Sequence, residues 1–332
     1  MNERPNRRPR YGRRIVVAAL CIIAVAVGAA FVPWPVGGFP SHPQPVESYE
    51  EAVRRAQDFD GERASLMSPI CRSRLLTHGQ KTEHVIVFVH GYENCPEEFG
   101  ALGTRFHDLG YNVLIATLPA HGLADRMTDA ISYITAAQLA AYADETIDIA
   151  QGLGNRVNMV GLSAGGTVTA WAAQNRSDLN LAVMMAPPFG FREIPTSITV
   201  PAMNVFSLLP ESYRWIDSDL KTEFEPAWAY PRHSVHALAQ LLRLSSSVRT
   251  AAHSASPAAG RVLVITNAND KSVNNELTRQ AVASWQAHSL DVFTYEFPAS
   301  LGLGHDLVDP HRPDQQIDLV YPIIIELFEK YK

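Results

Sequence analysis

A serine between glycines stands in Gly161-Leu162-Ser163-Ala164-Gly165-Gly166. The pattern G-x-S-x-G lets a chain turn sharply from a strand into a helix and lifts the hydroxyl clear of its surroundings. The N-terminus of the following helix would then face a nascent anion. At ordinary glycine and serine usage the bare pattern arises by chance in roughly one chain in ten of this size. A phosphate cradle or a plain turn would fit it as well, so Ser163 as nucleophile depends on its partners. Such a serine needs a base, and the base needs a group that fixes its tautomer and stabilises the imidazolium. His305, in Gly302-Leu303-Gly304-His305-Asp306, is the expected base. It would take the Ser163 proton and return it to the leaving group. Asp270, closing Asn267-Ala268-Asn269-Asp270, is the expected acid, since Asn267 and Asn269 cannot carry the charge an imidazolium needs. Asp291 begins a strand and faces the wrong end, Asp306 is adjacent to the base and points away from it, and His311 is set too far into the next segment.

Apolar runs at 84–89, 112–116, 156–160, 181–186, 262–266 and 292–297 read as strands buried on both faces. Helical stretches at 97–109, 136–153, 165–175, 274–287 and 315–331 separate them. The alternation predicts an α/β fold, a mostly parallel central sheet flanked by helices. In such sheets sites form beyond the carboxyl ends of the strands. His90, Ser163 and Asp270 follow strand ends closely, and His305 follows the last strand. Residues 187–259 break the alternation and are too long for a loop. They are rich in large apolar residues, including Phe189, Phe206, Tyr213, Trp215, Phe224 and Trp228, and predict an inserted, mainly helical cap over the site.

Three motifs in order, His90-Gly91-Tyr92-Glu93-Asn94, Gly161 to Gly165, and the Asp270/His305 pair, resemble the α/β-hydrolase superfamily over roughly residues 70–332. The cap position and Leu118-Pro119-Ala120-His121-Gly122 are similar to the monoglyceride lipase, lysophospholipase and serine aminopeptidase group. The resemblance implies the α/β-hydrolase fold, the chain order Ser163, Asp270, His305, and oxyanion donors at the backbone N–H groups of Tyr92 and Ala164. His90 and His121 are read as structural.

The 332 residues are 46% hydrophobic and 19% charged, as expected of a globular chain. Residues 1–14 carry six arginines and one glutamate, so +5 of the overall −6 lies there and the rest carries −11. So acidic a body argues against a nucleic-acid partner. The sequence divides into a basic cytoplasmic tail (1–14), a transmembrane signal-anchor (15–33), a linker rich in Pro, Gly and Ser (34–50) and the hydrolase domain (51–332), whose first helix is expected over 51–59. The uncharged run 15–32 would rise about 27 Å as a helix, nearly the hydrocarbon thickness, with Trp34 at interface depth. Gly28-Ala29-Ala30 is also a passable cleavage site. The body is therefore expected outside the cytoplasm, membrane-anchored if the segment stays and secreted if it is removed. Cys21 lies behind a poor lipoprotein site.

Cys71 and Cys95 would meet an oxidising compartment, and a disulfide there would pin the loop after the first strand; two free thiols are the alternative. Neither a metal-ligand spacing nor a dinucleotide fingerprint is present, so no cofactor is expected. The expected activity is hydrolysis of small to medium or lipid-derived carboxylic esters through an acyl-enzyme, an acyl chain requiring an apolar tunnel. The alternative is amide or peptide cleavage, with an amine anchored by Glu211, Asp217, Asp219, Glu223 or Glu225. A non-catalytic, membrane-tethered binding protein is the third reading, and it usually lacks a triad member.

Overall fold

The computed structural model describes residues 11–33, 38–216 and 228–332. Residues 1–10 of the basic tail, Trp34 and Pro35, and Asp217, Asp219, Glu223, Phe224 and Glu225 of the insertion lie outside them.

Helices α1 (Tyr11–Ala30) and α2 (Tyr49–Asp58) precede the sheet. The chain then runs β1 (Arg74–Leu76), β2 (Thr82–Val89), α3 (Gly100–Asp108), β3 (Asn112–Ala116), α4 (Ala136–Leu153), β4 (Gly154–Leu162), α5 (Ala164–Asn175) and β5 (Leu179–Met185). The insertion holds α6 (Thr199–Phe206), β6 (Tyr213–Trp215), β7 (Arg232–Ser234) and α7 (Val235–Ala252). The chain closes with β8 (Arg261–Asn267), α8 (Asn275–Gln286), β9 (Val292–Phe297) and α9 (Ile317–Tyr331).

All six apolar runs are strands of one seven-stranded sheet, ordered β1-β3-β2-β4-β5-β8-β9. Only β1 is antiparallel, with Leu75 opposite Leu114. The parallel register sets Val89 beside Ala116 and Gly161, and Met185 beside Leu162 and Ile265. The strand ends that carry the site residues therefore lie level. Period-two alternation divides β2 between two cores. Val85, Val87 and Val89 join the core under α4 and α5, while Ile86 and Phe88 join the core on the other face, where Phe88 meets Phe106 of α3 and Phe99 of the turn before it. Local signals start the helices: a Thr135/Gln138 capping box for α4, Ser234 for α7, Asn274 for α8. The insertion is not wholly a lid, because Leu241, Leu244 and Val248 of α7 belong to the core beneath the sheet.

Among the described residues no helix is long and apolar enough to cross a membrane. The helix stops at Ala30. Phe31 and Val32 turn back onto the carbonyls of Gly28 and Ala29, and Asn204 Nδ2 donates to those of Ala30 (2.9 Å) and Val32 (2.8 Å). The uncharged helical stretch 15–30 rises about 24 Å, short of the roughly 30 Å hydrocarbon core.

Residues 38–48 are not a free tether. Their N–H groups reach α4, from His42 to Asp144 Oδ2 (2.7 Å) and from Gln44 to Asp148 Oδ2 (2.7 Å). Both aspartates are held from behind by Arg176, fully buried, at 2.9 and 2.7 Å. Trp171 Nε1 donates to the Phe39 carbonyl.

Candidate active site

Ser163 occupies the turn between β4 and α5 at φ +53° and ψ −118°, a conformation that non-glycine residues rarely adopt and that costs of order 1–3 kcal/mol. Its neighbours must be glycine. A Cβ on Gly165 would lie 1.9 Å from the Val89 carbonyl oxygen, and one on Gly161 would lie 2.1 Å from that of Gly165. The turn is pinned by the Ser163 N–H on the Met185 carbonyl at 2.9 Å.

His305 comes from the loop after β9. Gly302 turns the chain at φ +65°, and Asn267 Nδ2 donates to the carbonyls of Leu303 (2.9 Å) and Gly304 (2.8 Å), which fixes the segment leading into the ring. His305 Nε2 lies 2.8 Å from Ser163 Oγ, and Nδ1 lies 2.7 Å from Asp270 Oδ2. The buried Asp270 carboxylate accepts also from the N–H groups of Ser272 (2.8 Å) and Val273 (3.1 Å). Burial opposes its charge, but the His305 bond and these N–H groups outweigh that and hold its pKa below the usual range. Burial likewise opposes charge on His305. The Asp270 bond and charge, with Asp306 and Glu93, overcome it and push the ring up to about 9. Once the ring is neutral, Asp270 keeps the remaining hydrogen on Nδ1, and Nε2 is left to accept from Ser163.

Among the described residues, the N–H groups of Tyr92 and Ala164 have no hydrogen-bond partner. Ala164 opens α5, where no intrahelical acceptor exists. His90 shows how the other is aimed. Its Nε2 accepts from the Leu118 N–H (3.0 Å), so Nδ1 carries hydrogen and donates to the Gly91 carbonyl (2.8 Å). A trans peptide then directs the Tyr92 N–H the opposite way. Burial keeps His90 neutral by lowering its pKa well below the ordinary value. His121 lies with its ring nitrogens 2.8 Å from the carbonyls of Tyr92 and Pro119. Burial lowers its pKa to about 4, so it donates to one of them at a time.

Above the serine lies a cavity of about 360 Å³. Phe191, Ile194, Phe206, Trp215 and Leu242 give it apolar walls, while Glu93, His233, Asp306 and Arg312 make one side polar. Among the described residues the insertion is tied to the loop after β2 by four bonds, one of them between His233 Nε2 and Glu93 Oε1 (2.7 Å). Tyr230 N–H donates to the Glu93 carbonyl (2.8 Å), Trp228 Nε1 to Asn94 Oδ1 (3.0 Å), and Ser234 N–H to the Tyr92 hydroxyl (3.1 Å). Glu211, considered above as an amine anchor, instead accepts from the N–H groups of Val235 (3.0 Å) and His236 (3.4 Å) at the start of α7. Cys71 and Cys95 form a disulfide with Cα atoms 5.2 Å apart. Closing a loop of sequence separation 24 stabilises the fold by about 3 kcal/mol.

The sequence reading did not single out Glu98, Asn94 and Asp309, which are buried together beside the Tyr92 loop. Glu98 stands where a helix was expected to begin, a position where an acidic residue reads as a solvated dipole partner.

A parallel sheet that delivers a serine, a histidine and an aspartate to one end, in this connectivity, defines an α/β hydrolase with a Ser–His–Asp site. The alpha/beta hydrolase family model matches residues 86–319, and the chain belongs to that family. A search of curated proteins finds no significant relative. Among solved structures, a monoacylglycerol lipase from Paleococcus ferrophilus is similar at TM-score 0.60 and 16% identity, covering 78% of this chain and 98% of that one. A structure described under the metagenome-derived lipolytic enzymes LipS and LipT is similar at TM-score 0.57 and 19% identity, covering 80% and 99%. A soluble variant of the Saccharomyces cerevisiae monoglyceride lipase is similar at TM-score 0.56 and 14% identity, covering 78% and 91%. At these identities the likeness is one of fold.

Proposed function

We propose that the protein is a carboxylic ester hydrolase that works through an acyl-enzyme on Ser163. The observation that carries this is the continuous chain Asp270 Oδ2, His305, Ser163 Oγ, at 2.7 and 2.8 Å, opening into an apolar cavity. His305 Nε2 takes the Ser163 proton as Oγ bonds to the ester carbonyl carbon. The carbonyl electrons move to oxygen, where the N–H groups of Tyr92 and Ala164 stabilise them. Collapse expels the alkoxide, which leaves as the alcohol with the proton from His305. Water then repeats the sequence on the acyl-enzyme and releases the acid. The apolar walls suit an acyl chain of small to medium length or a lipid-derived one, as do the lipolytic enzymes of similar fold. Turnover of p-nitrophenyl esters from acetyl to lauroyl, beside aminoacyl anilides, tests this. Esters are expected to be the faster class, and faster anilide turnover would make the protein an amidase.

We also propose that the catalytic body lies outside the cytoplasm. Six arginines ahead of an apolar segment and the Cys71–Cys95 disulfide support this. The exposed apolar side chains of α1, Ile15, Leu20, Ile22 and Val25 among them, support retention at a membrane while that segment remains. Cells lysed in excess iodoacetamide should yield protein with Cys71 and Cys95 unalkylated. Full alkylation of both would place the body in a reducing compartment.

A further inference from the structure

We infer that Glu98 is a positioning residue that sets the Gly91 peptide and thereby aims the Tyr92 N–H at the oxyanion; this rests on the hydrolase reading above. Gly91 lies between two peptide planes and has no Cβ to restrict their relative rotation. The structure fixes each plane by a separate side chain. The Gly91 carbonyl, whose plane carries the Tyr92 N–H, is held by His90 Nδ1 at 2.8 Å. The Gly91 N–H, in the preceding plane, donates to Glu98 Oε2 at 2.7 Å. A Cβ at Gly91 would stand 3.7 Å from the Ser163 Cβ, so rotation of either plane acts directly beside the nucleophile.

The same carboxyl is linked to the histidine loop. Asn94 Nδ2 donates to Glu98 Oε1 (3.3 Å) and to Asp309 Oδ2 (2.6 Å), and Asp309 lies four residues after His305. One amide thus holds the oxyanion loop against the histidine loop. Glu98 is fully buried and makes no ion pair among the described residues. Burial, with the Asp306 and Asp309 charges facing it from the histidine loop, pushes its pKa well above the ordinary carboxyl value. Glutamine keeps one acceptor oxygen, enough for the short Gly91 N–H bond, and gives up the longer Asn94 bond, while leucine removes both.

The test compares wild type, Glu98→Gln, Glu98→Leu and Glu98→Asp for kcat and KM on a p-nitrophenyl ester, for inhibition by an alkylboronic acid, and for Tm. The boronate forms a tetrahedral adduct on Ser163 with an oxygen in the oxyanion site. Glu98→Leu is expected to lower kcat by about 30-fold or more, with KM within about threefold, and to weaken boronate binding by a similar factor. Glu98→Gln should keep kcat within about threefold of wild type. If the leucine variant does not fold, Glu98→Asp, whose carboxyl is drawn back by one methylene, should show the same kcat loss at a near-native Tm. A folded leucine or aspartate variant with wild-type kcat overturns the inference, as does a glutamine variant as impaired as the leucine one. Wild type inert to esters and to fluorophosphonate labelling would overturn the hydrolase reading as well, whereas active wild type beside unaltered variants overturns only the role of Glu98.

Discussion

Ser163→Ala is expected to lower kcat for p-nitrophenyl ester hydrolysis by about 10⁵-fold and to leave Tm almost unchanged. The large loss follows from the site's geometry. Among the described residues the hydrogen-bond partner of His305 Nε2 is Ser163 Oγ. Without that oxygen no acyl-enzyme forms. The Tyr92 and Ala164 N–H groups would still polarise a bound carbonyl, so water attack at a slow rate is the expected remainder. The small effect on stability follows from the backbone. Ala120 and Ala186 already hold φ values of +57° and +44°, so alanine is compatible with a turn of this sign. The hydroxyl removed bonds only to a catalytic ring and packs into no core. Stopped-flow turnover and calorimetry on the same preparation check both parts. Ester hydrolysis persisting within tenfold of wild type would mean that the nucleophile is elsewhere.

How much of this site the sequence makes legible depends on how local each signal is. Val85 to Val89 and Val262 to Ile265 are apolar without interruption, because strands inside a parallel sheet are covered on both faces. Their ends mark where Gly91 and Asp270 must stand. The elbow is equally local, since Gly161 and Gly165 are required by carbonyls within 2.1 Å of their missing Cβ atoms. Signals that span the chain were not legible. β1 has three residues, one of them Arg74, and only its pairing with β3 makes it a strand. The segment 38–48 has the composition of an exposed tether, yet its N–H partners Asp144 and Asp148 lie more than 100 residues away. Glu98 escaped for the same reason. A glutamate is almost never fully buried without a partner, and its partners are an N–H and an amide that only the folded loop brings to it. The end of α1 is non-local in the same way. Apolar length counts residues to Val32, but Asn204 ends the helix at Ala30 from the far side of the sequence.

Asp270→Asn separates two things that the carboxylate does for His305, and they move the pH profile in opposite senses. The first is orientation. Asp270 Oδ2 accepts from Nδ1 at 2.7 Å and so leaves Nε2 free to take the Ser163 proton. An asparagine amide can donate to Nδ1, which moves the ring hydrogen to Nε2, where it points at Ser163 and cannot act as base. Loss of the correct tautomer lowers the plateau of kcat by about 10⁴-fold, the magnitude known for this substitution in a serine protease triad. The second is charge. The ring of the wild-type protein is raised to about 9, because the Asp270 bond and charge, helped by Asp306 and Glu93, outweigh the burial that lowers it. Catalysis needs the neutral ring, so wild-type kcat/KM should climb as pH rises through that value. In Asp270→Asn the principal raising contribution is gone while burial remains, so the acid limb should move to lower pH. The expected profile is therefore lower throughout and displaced toward acid, measured as kcat/KM from about pH 5 to pH 10. A plateau within tenfold of wild type would remove Asp270 as the orienting group. A depressed plateau with an undisplaced limb would keep its orienting role and assign the raised pKa of His305 to Asp306 and Glu93 instead.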